Sequence, residues 1–168
     1  MSALKTIKRW LIDPQFARKK KFLRSLPLFN DLNDSELGYL VAALHSRTYR
    51  AGEVIFVEGD IGRALFVLES GAVSLTRGSS EGKPLVLYSL TPGDFFGEMA
   101  LLESLPRTAT ATATEKTHLH LLYKSKLDAL LHSEPHIGVT IMSHLARLLS
   151  ARLRRLNSDP KFIFAQND

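Results

Sequence analysis

The sequence predicts an α+β fold, mainly β, in which a β-sandwich or barrel is flanked by N-terminal helices and a long C-terminal helix. Apolar residues recur at helical spacing near both ends of the chain. Between Tyr49 and Tyr123 the chain instead shows short β-rich runs, separated by glycine-containing turns at intervals of roughly 8–12 residues. The length of 168 residues suits one domain.

The helices are predicted from apolar spacing and from residues that favour helix ends. Residues 3–24 carry apolar side chains at helical intervals, and Pro14 opens a second helix because proline suits a first helical turn. A helix over residues 34–46 begins after a run of capping residues. A short helix over residues 125–132 precedes a long helix over residues 135–156.

Six short runs are rich in β-branched, aromatic and other apolar residues, and most of them end at a glycine turn. A series of such strands is typical of an antiparallel sandwich or barrel, and the alternation of strands and helices that marks a parallel sheet does not occur. The predicted strands are residues 54–57, 64–68, 72–76, 84–90, 109–113 and 118–123.

The net charge of +5 is distributed unevenly along the chain. Residues 1–24 carry eight basic side chains and one acidic side chain, whereas residues 25–142 carry nine basic and fourteen acidic ones. Basic ends can contact nucleic acid, an acidic lipid surface or an acidic partner, although a solvated helix face is the simpler interpretation. We divide the chain into a basic helical segment (1–30), a β-roll (31–133), a C-terminal helix (134–157) and a tail (158–168).

The composition excludes several kinds of site. The sequence has no cysteine, which rules out disulfides, thiolate metal sites and a cysteine nucleophile. No apolar run has the length of a membrane helix, and Lys5, Lys8 and Arg9 interrupt the apolar run that a signal peptide needs. We therefore expect a cytoplasmic protein without a transmembrane segment.

Residues 93–113 hold the pattern that bears on function. Gly97 lets the backbone approach a ligand closely, and residues 98–102 suffice for one helical turn whose free N–H groups favour an anion. Arg107 adds a permanent charge with forked donors that suit phosphate oxygens. Glu98 would repel a phosphate, so it fits here only as an acceptor of hydrogen bonds from hydroxyls, as from a ribose. An anion cradle beside a hydroxyl acceptor predicts a sugar-phosphate site.

Two segments of this region, joined by a short bend, read Phe96-Gly97-Glu98-Met99-Ala100-Leu101 and Pro106-Arg107-Thr108-Ala109. They resemble the phosphate-binding cassette of the cyclic-nucleotide-binding domain family, at the family's usual separation. The resemblance extends over roughly residues 25–156, and it implies an antiparallel jelly-roll-like β-barrel. It also implies a stand-alone sensor of cAMP or cGMP that needs no cofactor and is not an enzyme.

The resemblance implies a role for each matching residue. Glu98 is expected to take the ribose 2′-hydroxyl, and Arg107 to pair with the cyclic phosphate. Backbone N–H groups of Ala100 and Thr108 are expected to complete the phosphate cradle. The implied ligand-binding residues are Gly97, Glu98, Met99, Ala100, Arg107 and Thr108, together with Tyr88 and Leu90 near the base or sugar.

The C-terminal helix has two implied roles. In the family this helix folds over the base as a lid, and in many members it also forms a dimer seam. The lid residue is expected near His144, Arg147 or Leu148. The leucines of residues 141–156 fit either a homodimer coil or packing against the roll.

The resemblance also bears on the choice of nucleotide and on the partner. Family members with threonine at the position of Thr108 include cGMP-responsive ones and others that take either nucleotide, and we favour cAMP or both. An unidentified protein partner is expected to bind the basic N-terminal helices. The chain ends about a dozen residues after Leu156, which leaves no room for a helix-turn-helix, so specific nucleic-acid binding is not expected.

Three other interpretations stand beside the sensor. Arg107 could pair internally with Glu98 in an empty roll, and the chain would then be a nucleotide-free adaptor for protein contacts. His118 and His120 share a strand face, but two imidazoles are too few for a metal site, so we expect surface histidines and no metal. No nucleophile elbow, P-loop or paired-carboxylate motif supports an enzyme.

Overall fold

Two four-stranded sheets, with helices before and after them, make up the fold. The structure is a computed structural model that describes residues 13–79 and 82–157, except for the side chains of residues 155–157. Most of the helix predicted before Pro14 and the predicted tail lie outside the described residues. The helices are α1 (Pro14–Arg24), α2 (Asp34–Ala43), α3 (Met99–Leu102), α4 (Lys124–Ser133) and α5 (Pro135–Asn157). The strands are β1 (His45–Tyr49), β2 (Val54–Phe56), β3 (Ala64–Ser70), β4 (Val73–Arg77), β5 (Leu85–Leu90), β6 (Phe95–Phe96), β7 (Thr110–Ala113) and β8 (Thr117–Tyr123).

The predicted fold class is confirmed. The first sheet has the strand order β1-β8-β3-β6 and the second has the order β2-β7-β4-β5, with antiparallel pairing throughout. The long C-terminal helix follows the sheets, and it begins at the predicted proline. In the described part of the chain, no helix is both long enough and apolar enough to cross a bilayer.

The helix predicted over residues 34–46 is wrong at its C-terminal end, because α2 ends at Ala43. The chain continues as β1, in which His45 lies opposite Leu121 and Tyr49 lies opposite Thr117 of β8. Four of the five β1 side chains are exposed, so the strand carries no apolar alternation that could be read from the sequence. It forms because its backbone groups pair with the edge of β8.

Apolar side chains form two cores on opposite faces of the first sheet. The core between the two sheets includes Phe66, Leu90 and Phe96. The core between the first sheet and the helices includes Leu65 and Leu122. Successive residues of β3 alternate between these cores, so this strand is buried on both faces and is held firmly in place.

The first half of α5 is hydrogen-bonded to the N-terminal helical region, which comprises α1, α2 and the residues between them (14–43). Glu36, which closes the capping box of α2, places Oε1 2.6 Å from Nδ1 of His136. His144 places Nδ1 2.6 Å from the carbonyl oxygen of Pro27 and Nε2 2.8 Å from Oδ2 of Asp31. The later turns of α5 instead line a cavity of about 250 Å³ beside the first sheet. Both of these histidines lie in the first half of the helix.

Candidate functional site

The first half of the candidate site is a sharp turn between β6 and α3. Gly97 has a φ of 72°, a left-handed conformation that favours glycine. A Cβ atom at this position would lie 2.5 Å from Nη1 of Arg107 and 3.1 Å from the carbonyl oxygen of Ala64. The backbone and the guanidinium thus approach each other more closely than a side chain at Gly97 would allow.

Arg107 occupies the space behind this turn. Its Nη1 donates to the carbonyl oxygen of Gly97 at 3.1 Å, and its Nη2 donates to that of Ala64 at 2.9 Å. Its Cζ lies 4.2 Å from the centre of the Phe56 ring and 5.5 Å from that of Phe66. Both distances are typical of cation–π contacts. Two carbonyls and two rings therefore fix the guanidinium.

The charge of Arg107 is only partly balanced by its surroundings. Burial lowers the pKa of Arg107, whereas the carboxylates of Glu98 and Asp60 act in the opposite direction. The side chain still remains cationic at neutral pH. Among the ion pairs that the described residues form, none includes Arg107. A half-buried cation without an ion-pair partner favours an anionic ligand.

The second half of the candidate site is fixed through the backbone. The N–H of Arg107 donates to the carbonyl oxygen of Asp60 at 2.7 Å, and its own carbonyl accepts from the N–H of Gly59 at 2.9 Å. The carbonyl oxygen of Thr108 accepts from Nε of Arg77 at 3.2 Å. Backbone hydrogen bonds to the turn after β2 therefore fix the position of the Arg107 main chain.

Glu98 is bound by an arginine of α5. Its side chain is 13% exposed, and Nη1 of Arg152 donates to its Oε1 at 2.7 Å. The same guanidinium donates to the carbonyl oxygen of Phe95 at 3.3 Å and lies 4.7 Å from the centre of that ring. The predicted alternative, an internal pair of Arg107 with Glu98, is not the arrangement found. The sequence marks Arg152 only as one of several basic residues of α5.

The other predicted ligand-binding residues lie in different environments. Leu90 is buried between the sheets, whereas Tyr88 on the same strand is exposed. Met99 and Thr108 are exposed. Ala100 is buried, and its N–H donates within the turn to the carbonyl three residues earlier, at 3.2 Å. The roles of these residues toward a ligand stay predictions.

The three residues predicted for the lid differ in position along α5. His144 is buried against the N-terminal helical region, and Arg147 is exposed. Leu148 lines the cavity beside the first sheet, together with Arg152. The lid role of these three residues stays a prediction, and Arg152 is an additional contact that the sequence did not indicate.

The prediction that the paired histidines lie on the surface is wrong for His120, whose ring is 1% exposed. Strand pairing between β3 and β8 also brings Glu69 beside both His118 and His120, so a third metal-ligating side chain is present. Spacing along the sequence could not reveal Glu69, because it belongs to a different strand.

A known family model matches the part of the chain that contains the cassette. The family model described as "Cyclic nucleotide-binding domain" matches residues 46–134, which is just over half of the chain. The chain belongs to the cyclic nucleotide-binding domain family. The matched part of this cyclic nucleotide-binding domain runs from β1 to the start of α5 and includes both halves of the cassette. The predicted family is confirmed.

Named relatives of this cyclic nucleotide-binding domain include a nucleotide receptor. The "Cyclic AMP receptor protein" of Thermus thermophilus is 37% identical over 132 residues, which are 79% of this chain and 59% of that protein. The chain therefore spans less than two thirds of the length of this relative.

Solved structures share the fold of the domain. The N-terminal domain of a transcriptional regulator from Streptomyces coelicolor superposes with a TM-score of 0.71 at 34% identity, covering 81% of this chain and 92% of that one. The regulatory domain of Toxoplasma gondii PKA, solved with cAMP, gives a TM-score of 0.63 at 31% identity, covering 70% of this chain and 45% of that one.

Proposed function

We propose that this chain is a sensor of a cyclic mononucleotide, cAMP or cGMP or both, which binds in the cassette of residues 96–109. The observation that carries the proposal is the guanidinium of Arg107, which is half-buried, cationic and without an ion-pair partner among the described residues. A cyclic phosphate diester offers one negative charge and two free oxygens, which suit a forked donor. Two relatives support this choice, since one is named a cyclic AMP receptor and another was solved with cAMP.

Glu98 supports a sugar beside the phosphate. Its carboxylate is largely buried and contributes negative charge near Arg107. A second anion at this place would be unfavourable unless the ligand also brings hydroxyl groups that donate to the carboxylate. A ribose joined to a cyclic phosphate supplies both features, whereas a free phosphate supplies only the first.

Titration calorimetry of the purified chain with cAMP and with cGMP tests this function. We expect saturable binding of at least one nucleotide with a Kd in the micromolar range, where 1 μM corresponds to about −8 kcal/mol. The Glu98→Ala variant is expected to bind at least about 30-fold more weakly, because it leaves the ribose hydroxyls without their acceptor. Glu115→Ala, which removes an exposed carboxylate between β7 and β8 and outside the cassette, is the matched control and should bind like the parent.

The two nucleotides are compared in the same experiment, which ranks them directly. A folded parent chain that gives no binding heat with either nucleotide, and no shift in melting temperature, would support the adaptor instead. The next measurement would then be a search for the protein that the basic N-terminal helices bind.

The C-terminal helix is proposed to report the state of the cassette. Arg152 binds the same carboxylate that is proposed to take the ribose, so the nucleotide and α5 compete for Glu98. A ligand that displaces Arg152 would favour a different position of α5. By linkage, the free energy by which the ligand shifts α5 equals the free energy by which a shift of α5 changes ligand binding. The cavity beside the later turns of α5 leaves space for this movement.

Replacing Arg152 with glutamine is expected to tighten nucleotide binding by up to about 5-fold, because an ion pair of this exposure contributes no more than about 1 kcal/mol. Hydrogen exchange of the last turns of α5 should become faster in the variant, and nucleotide should no longer change it. Arg154→Gln is the control, since Arg154 donates to Ser150 on its own helix. Weaker binding in Arg152→Gln would contradict competition and would make Arg152 part of the nucleotide site.

The remaining parts of the proposal concern assembly and context. A homodimer through α5 is supported by two exposed apolar side chains, Val139 and Leu153, which lie two heptads apart on one face of the helix. We further propose an unidentified protein partner, a cytoplasmic location and a regulatory rather than catalytic role.

A further inference from the structure

A cluster of three metal-ligating side chains lies at the end of β3 away from the cassette. Oε2 of Glu69 is 3.0 Å from Nε2 of His120 and 3.3 Å from Nε2 of His118. One ligand atom from each of the three residues lies within 4.8 Å of the other two. Glu69 follows Ala64, the partner of Arg107, by five residues, and a strand of that length spans about 17 Å. The cluster is therefore separate from the proposed nucleotide site.

The strands of the first sheet bring these side chains together. His118 and His120 share the face of β8 that points away from the core between the sheets. The pairing register of β3 with β8 shifts between Leu68 and Ser70, so Glu69 sits in a bulge. Bulges commonly redirect a side chain next to functional sites. Here the bulge places the carboxylate beside both imidazoles.

Each histidine is oriented through the ring nitrogen that does not approach Glu69. Nδ1 of His118 lies 2.9 Å from Oγ1 of Thr48, and Nδ1 of His120 lies 3.0 Å from Oγ of Ser46. Hydrogen bonds of this kind fix the ring orientation of metal-binding histidines. They leave the Nε2 atom of each ring directed at the cluster.

Among the residues that the structure describes, Nε2 of His120 has no hydrogen-bond partner, and the His120 side chain is only 1% exposed. Its 3.0 Å contact with Glu69 does not have the geometry of a hydrogen bond. Buried polar atoms are rarely left unsatisfied, so this nitrogen is available to bind an ion.

We propose that Glu69, His118 and His120 bind one divalent transition-metal ion of the Zn²⁺ class. Tetrahedral coordination with bonds near 2.0 Å places ligand atoms about 3.3 Å apart, which agrees with the two contacts of Glu69. Two imidazoles and one carboxylate favour Zn²⁺ over Mg²⁺ and Ca²⁺, which prefer oxygen ligands. The His118 side chain is 33% exposed, so water can supply the fourth ligand.

Two cations of α1 lie next to the cluster and limit its affinity. Nη2 of Arg18 is 3.3 Å from Oε1 of Glu69, the oxygen that does not contact the histidines. Nζ of Lys19 donates to Oγ of Ser46 at 2.7 Å, and burial lowers the pKa of Lys19. Both positive charges oppose a divalent ion, so the cluster should bind it more weakly than a closed site with four protein ligands. The same contacts hold Glu69 and Ser46 in position.

Metal titration of the full chain tests the proposal. The purified chain is stripped with a chelator and titrated with Zn²⁺ against a colorimetric indicator, and separately with Co²⁺, whose visible absorption reports coordination geometry. We expect one ion per chain and a Co²⁺ spectrum typical of four-coordinate nitrogen and oxygen ligation. Thr48→Val should lower Zn²⁺ affinity about 10-fold, because Thr48 only orients the His118 ring. His118→Ala should lower the affinity by more than about 100-fold, because it removes a ligand.

His132→Ala is the matched control, because it removes an exposed imidazole from α4. It should bind Zn²⁺ like the parent chain. In thermal melts, Zn²⁺ should raise the melting temperature of the parent but not that of Glu69→Gln. The same scan shows whether the Glu69→Gln variant is folded. The proposal is overturned if the parent binds no ion or if His118→Ala binds it equally well.

Discussion

Replacing Arg107 with leucine is expected to weaken cyclic-nucleotide binding at least 100-fold, about 3 kcal/mol, and to leave a folded chain. The variant removes the cation and both forked donors, while leucine can still pack against the rings of Phe56 and Phe66. Calorimetry with the preferred nucleotide measures the loss of affinity. Circular dichroism and thermal unfolding confirm that the variant remains folded.

Two further variants separate charge from geometry at this position. Arg107→Lys keeps the cation but cannot bond the carbonyls of Gly97 and Ala64 with one planar group, so an intermediate loss of about 10-fold is expected. Arg50→Leu removes an exposed arginine near the end of β1 and should bind like the parent. Parental affinity in a folded Arg107→Leu chain would contradict the cassette as the binding site.

Replacing Phe96 with alanine is expected to lower the free energy of unfolding by about 3–5 kcal/mol. Its ring is 2% exposed and stacks on Phe66 with a centroid distance of 5.1 Å and an interplanar angle of 12°. It also lies 5.9 Å from the ring of Phe56. Urea denaturation measures the effect, and the loss is a large share of the stability of a typical domain.

The neighbouring Phe95 provides the comparison, because it is half-buried and contacts Arg152 on the other face of the sheet. Phe95→Ala is expected to cost about 1–2 kcal/mol. Equal losses of unfolding free energy in the two variants would contradict this expectation, because the deeper burial of Phe96 would then add no stability.

The sequence was sufficient for the features that depend on local pattern. The family was predicted because Gly97, Glu98 and Arg107 stand at fixed spacing along one continuous segment, whereas their roles toward a ligand stay predictions. The six strands read from β-branched and apolar runs were found, and Pro135 marks the start of the long helix as predicted. In each case a few consecutive residues carry the signal.

Features that depend on pairing between distant segments could not be predicted in this way. The polar strand β1 forms by pairing with β8, and the two-residue β6 forms by pairing with β3. Arg152 reaches Glu98, and Glu69 reaches His120, only because α5 and β3 are placed there by packing. These contacts depend on tertiary packing, so the local sequence of either segment alone does not predict them.

In the proposed relay, α5 would act as a lever. His136 and His144 hold the first half of α5 to Glu36 and to residues 27–31, which would set the fulcrum, while Arg152 lies farther along the helix. The arm from His144 to Arg152 is about 12 Å long, so a tilt of about 10° moves the guanidinium about 2 Å. If nucleotide binding tilts α5 as proposed, that distance is enough to break the hydrogen bond between Arg152 and Glu98.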